Sequence, residues 1–115
     1  MVLDNKSSKI LEKLKEASQN GIDIEVSIPL LKELREVAKS QEDALVTRVL
    51  RQTYEHLEEN EDFTVDYFTD GFVGEEGEEM PTDKTSYEYL LDLVENSDNK
   101  YNREELRIYK HLLKD

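Results

Sequence analysis

Apolar residues recur three and four positions apart in five separate stretches of this chain, a spacing that an α-helix turns into one continuous face. Ile10, Leu11, Leu14 and Ala17 form the first, with Ser7 or Ser8 as its cap and Asn20-Gly21 as its stop, so a helix is predicted over about residues 8–20. Leu30, Leu31, Leu34, Val37 and Ala38 form the second. Ser-Gln-Glu-Asp at 40–43 has the character of a capping box and divides it from the third. That third stretch carries Leu45, Val46, Val49, Leu50, Tyr54 and Leu57 to about Asn60. Tyr87, Leu90, Leu91 and Val94 align in the fourth, which opens after Thr82, Asp83 or Ser86 and stops near Asn96. Asn102, with Glu105 three residues on, opens the fifth, which holds Leu106, Tyr109, Leu112 and Leu113 and makes an αα-hairpin with the fourth.

Two segments break the helical period. Ile22–Ile28 alternates apolar and polar with β-branched residues, as a half-buried strand does; the alternative is that Ser27 caps the next helix with Pro29 in its first turn. Phe63–Tyr67 alternates again, and Asp70-Gly71 before Phe72-Val73 predicts a small hairpin over 62–74. Residues 74–83 have loop chemistry, which predicts an exposed acidic loop. Leu, Ile, Val and Phe make up 31 of the 115 residues, enough for one core. The expected fold is mainly α: a small helical domain of about five helices spanning 1–115, with a minor β-hairpin that leaves α+β as the alternative.

Charge is distributed unevenly. Residues 1–51 hold nine basic and nine acidic side chains, and residues 84–115 hold six and seven. Between Arg51 and Lys84 lie twelve carboxylates and no Lys or Arg, which is nearly all of the net charge of -13. Such a field repels nucleic-acid backbones and attracts basic proteins over long range. The bland counterpart is a solvated helix end followed by an acidic loop.

Twelve carboxylates in one segment invite a metal site. Placing Gly71 at the glycine position of a calcium loop puts Asp66 and Asp70 at ligand positions, but Phe68 and Gly77 occupy two others and the pattern fails. His56 and His111 belong to no metal-binding spacing and read as exposed helical residues. The four glycines form no phosphate-binding loop, no nucleophile elbow is present, and the absence of Cys excludes disulfides and thiolate zinc sites. A helix-turn-helix over 29–59 is disfavoured, since Glu55, Glu58 and Glu59 would meet phosphates with the wrong sign. Tyr87, Tyr89, Tyr101 and Tyr109 read as the rim of a core, or alternatively as interface anchors. No apolar run reaches the length of a membrane span, and the start, MVLDNKSSK, lacks a leader pattern, so a cytoplasmic setting is the expectation.

The leading expectation is a non-enzymatic protein-binding or regulatory module with no catalytic residue, metal or cofactor. It would present Asp66, Phe68, Asp70, Phe72, Glu75, Glu76, Glu78 and Glu79 to a basic protein surface, without direct nucleic-acid or membrane binding. Met80 would add apolar grip. The alternatives are an inhibitor that mimics DNA, a self-associating structural subunit or homo-oligomer, and, ranked last, a carboxylate metal-dependent enzyme.

Overall fold

The computed structural model describes residues 1–67 and 85–114. Within them lie five helices: α1 (Asn5–Glu16), α2 (Ile24–Ser40), α3 (Ala44–Asn60), α4 (Ser86–Glu95) and α5 (Lys100–Leu112). Each packs on two others, in the order α1, α2, α3, α5, α4 and back to α1, so the helices close a ring around one core. Leu14, Leu31, Leu34, Val46, Leu57, Leu91, Val94 and Leu106 are all wholly buried inside it. A Leu buried to this degree contributes about 2 kcal/mol from desolvation alone.

The mainly helical expectation holds, and the corrections fall at helix starts. Asp4 caps α1, taking the Ser7 amide at 2.8 Å while the Ser7 hydroxyl takes the Asp4 amide, so Ser7 belongs to the first turn and is not itself the cap. The segment Ile22–Ile28 is not a strand. Asp23 caps α2 there, and its first residues continue the helical period, with Ile24, Ile28 and Leu31 turned to the core and Val26 left 46% exposed. Pro29 consequently lies in the second turn of α2; it and Glu25, four residues earlier, are both exposed, so water can take the bond its ring nitrogen cannot make. Asp43, rather than Ser40, caps α3, and Asn99, three residues before Asn102, caps α5. Ser40 instead returns its hydroxyl to the Val37 carbonyl at 2.7 Å.

No strand forms among the described residues, where pairing is limited to an isolated bridge between Gln19 and Gly21. Residues 63–67, the first arm of the expected hairpin, run without a strand partner among them, and the second arm lies outside the described residues. The acidic loop expected at 74–83 lies outside them too.

Asp43 joins distant parts of the ring. Its carboxylate accepts the Met1 ammonium at 2.6 Å, both terminal nitrogens of Arg103 at 2.9 and 3.0 Å, and the Val46 amide at 3.2 Å. Arg103 also donates to the Ser97 carbonyl, and the Met1 ammonium to the Ser97 hydroxyl, so the link between α4 and α5 is held at the same place. Burial alone would raise the Asp43 pKa, but the bonds from Arg103, the Met1 ammonium and Val46 outweigh it and hold the carboxyl well below its usual range. Lys15 pairs with Asp92 and Glu95, tying α1 to α4.

Asp43→Asn keeps a capping side chain but removes the charge that Arg103 and the ammonium face. It should cost about 3 kcal/mol in chemical denaturation followed by circular dichroism. Because the folded pKa is depressed, the native contribution is complete above the unfolded carboxyl value of about 4 and is lost as pH falls below it. The difference between wild type and variant should therefore shrink on acidification; a constant difference down to about pH 2 would contradict this assignment.

Candidate functional site

The acidic surface begins on α3. Val46, Val49, Leu50, Thr53 and Leu57 face the core, which leaves Glu55, Glu58 and Glu59 exposed on the outer side of the last turns. The helix then closes with Glu61 in the left-handed region (φ 56°), its amide donating to the Leu57 carbonyl at 2.8 Å, and exposed Asp62 follows. The last turn of α3 contains no basic side chain. Carboxylates thus crowd the negative end of the helix dipole, the arrangement least favourable to the helix by itself.

Folding brings cations nearer than the sequence implied. Arg51 reaches Glu55 at 3.6 Å along the helix, and Lys32 of α2 reaches Glu58 at 3.7 Å while lying over the Tyr54 ring. Both pairs are about half exposed, where such contacts are screened and weak. They trim the field at its upper edge and leave Glu59, Glu61 and Asp62 outside any ion pair among the described residues.

His56 is not a simple surface histidine. It is half-buried, with Nε2 accepting the Thr64 amide at 3.0 Å, Nδ1 3.3 Å from the Asn60 amide nitrogen, and the ring edge-on to Phe63 at 5.4 Å. Its role is to fix the chain reversal after α3, which aims the following residues across the end of the molecule.

Beyond that reversal the chain meets a cluster of tyrosines. Tyr67 stacks on Tyr109 with ring centroids 4.6 Å apart and planes 3° from parallel, and on Tyr89 at 5.4 Å. The Tyr67 and Tyr89 hydroxyls both donate to Glu105 Oε1, at 2.9 and 2.7 Å. Burial together with the Glu105 charge pushes both phenols far above their usual pKa, and burial does the same to Tyr109. Tyr87, packed against Phe63 at 5.4 Å, is pushed up to about 12 by burial, opposed by the Ser27 hydroxyl.

This cluster ties residue 67 to residue 86, described residues on either side of 68–84. The Tyr67 amide donates to Ser86 Oγ at 3.1 Å, and the Tyr109 hydroxyl donates to the Ser86 carbonyl at 2.7 Å. Residue 67, where the segment leaves, is therefore held beside residue 86, just after it returns. Of the partner-binding residues expected from sequence, Asp66 is exposed immediately before this anchor. Phe68, Asp70, Phe72, Glu75, Glu76, Glu78 and Glu79 lie outside the described residues, as does Met80.

The tyrosines divide between roles. Tyr87 and Tyr109 belong to the core, Tyr89 is half-buried against it, and Tyr101 is 67% exposed. Sequence reasoning missed the anchor because its residues come from three different segments: Tyr67 after α3, Ser86 at the start of α4, and Glu105 and Tyr109 four apart on α5, a spacing that does not point to the other two. Among the described residues no three His, Asp or Glu side chains are placed to hold a metal ion, and no helix is long and apolar enough to cross a membrane. Comparison with known proteins finds no matching family, no similar curated protein and no similar solved structure.

Ser86→Ala removes the acceptor of the Tyr67 amide while leaving the Ser86 carbonyl to Tyr109. We expect a loss of about 1 kcal/mol in stability and faster hydrogen exchange at the Tyr67 amide, with core amides of α2 and α3 little changed. Unaltered exchange at Tyr67 would show that Ser86 does not hold the segment's end.

Proposed function

We propose that this chain is a non-enzymatic binding module whose acidic face, running from the last turns of α3 through Asp66 into residues 70–83, docks on a basic protein surface. The observation that carries this reading is the end of α3. Glu58 and Glu59 sit at the negative pole of the helix dipole with no basic residue in that turn, and Glu61 caps it in a backbone conformation usually given to Gly or Asn. This choice of residues opposes local helix stability, and a partner's cations would relieve both the dipole and the mutual repulsion of the carboxylates.

The role of the tyrosine anchor fits the same reading. Holding residues 67 and 86 together fixes on the helical body the two residues between which the rest of the acidic stretch runs in sequence. Net charge of -13 then favours rapid, steered encounter, while the expected apolar contacts at Phe68, Phe72 and Met80 supply short-range grip. The α3 carboxylates stand on a helix and are more fixed than loop residues could be, but Lys32 and Arg51 interrupt their array, which disfavours imitation of an evenly charged phosphate backbone.

Two variants separate the parts of this surface: Glu55→Gln with Glu59→Gln and Glu61→Gln on the helix, and Glu75→Gln with Glu76→Gln, Glu78→Gln and Glu79→Gln in the segment. Association with a labelled oligo-lysine peptide, followed by stopped flow, should slow several-fold in each, with thermal midpoints unchanged or raised. The wild-type rate should also fall as ionic strength rises from about 0.01 M to about 1 M, across which the Debye length shrinks from about 30 Å to about 3 Å. A rate indifferent to salt and to both variants would overturn the proposal.

A further inference from the structure

We infer that a cavity beside the acidic face receives an arginine side chain of the basic partner. This assignment rests on the acidic-face reading above and narrows it to one pocket and one residue type. The cavity, about 330 Å³, opens where three connecting regions meet: the link from α1 to α2, the reversal after α3, and the start of α4. Its apolar side is made by Ile22, Phe63 and Tyr87, and its acidic residues are Asp62 and Glu88. No Lys or Arg lines it, and neither carboxylate is in an ion pair among the described residues.

The residues that shape the cavity are held in place. Phe63 packs on Tyr87 with ring centroids 5.4 Å apart and edge-on to His56, and Tyr87 is buried. The Thr85 hydroxyl donates to Glu88 Oε1 at 3.1 Å and accepts the Glu88 amide, so the N-cap of α4 also fixes the carboxylate at the cavity. An aromatic and aliphatic wall beside two carboxylates matches the two halves of arginine: the stem and the flat face of the guanidinium pack on rings, and its planar fork pairs with carboxylates. Lysine shares the charge but lacks the plane. The cavity also adjoins the anchor, since Ser86, which holds Tyr67, is one of its lining residues. A basic segment drawn to the acidic face would therefore pass its mouth.

The test is an amide NMR titration of the full chain with acetylated oligo-arginine, and with oligo-lysine of equal length. Oligo-arginine should shift Gly21, Ile22, Phe63 and Glu88 and bind several-fold more tightly than oligo-lysine. Asp62→Asn combined with Glu88→Gln, which keeps the Thr85 cap and an acceptor oxygen for its hydroxyl, should weaken oligo-arginine about tenfold and bring the two peptides level. Binding that moves the α3 carboxylate region but none of the four cavity amides, and that ignores the double variant, overturns the cavity while leaving the acidic face standing. Equal affinity and equal cavity shifts with oligo-lysine overturn the choice of arginine. No binding of either peptide at low salt overturns both readings.

Discussion

The carboxylate of Asp43 is where this ring of helices is locked. A five-helix ring has to bring its first and last elements into register, and here the start of the chain, the first turn of α3, the α4–α5 link and Arg103 of α5 all converge on one side chain. The charge is strongly shielded from water, with the side chain only 8% exposed, and every buried partner it faces is a donor. Such a hub makes the ring cooperative: the contacts between α3 and α5 cannot be lost without leaving a buried charge unmatched. The apolar core supplies most of the stabilisation, but this interaction selects which helix ends meet.

The proposed acidic face sits away from that lock, where α3 finishes and α4 begins. Repulsion among carboxylates is tolerated there because the elements that bear or border it are fastened by other means. His56 holds the reversal, stacked tyrosines hold residue 67, and Ser86 receives bonds from two directions. Glu105 is an acid drawn into the fastening itself, where two phenol hydroxyls donate to it. Acidic residues thus serve two ends in this protein: buried or half-buried ones organise donors, and exposed ones project a field.

Much of the helical fold was legible in sequence because apolar spacing reports which face of a helix is buried. The reading failed where local chemistry admitted two answers. Ile22, Ile24, Val26 and Ile28 satisfy an alternating pattern and a helical one at once; only packing of Ile24, Ile28 and Leu31 on the same core decides between them. Capping was ambiguous for a related reason. Ser7, Ser40 and Asn102 are all good caps, yet Asp4, Asp43 and Asn99 hold those positions because tertiary partners or an extra turn displaced the local preference. The acidic face could be seen as a count of charges, whereas the contributions of Lys32 and the cavity beside Phe63 depend on elements remote in sequence.

The clasp between Tyr67 and Ser86 has a consequence for how such a protein can change. The hydrogen bond fixes the distance between these two residues, and the entropy of closing a loop grows only slowly with the number of residues it contains. A change in the number of residues between 67 and 86 is therefore a small entropic cost set against the contacts that hold the two together.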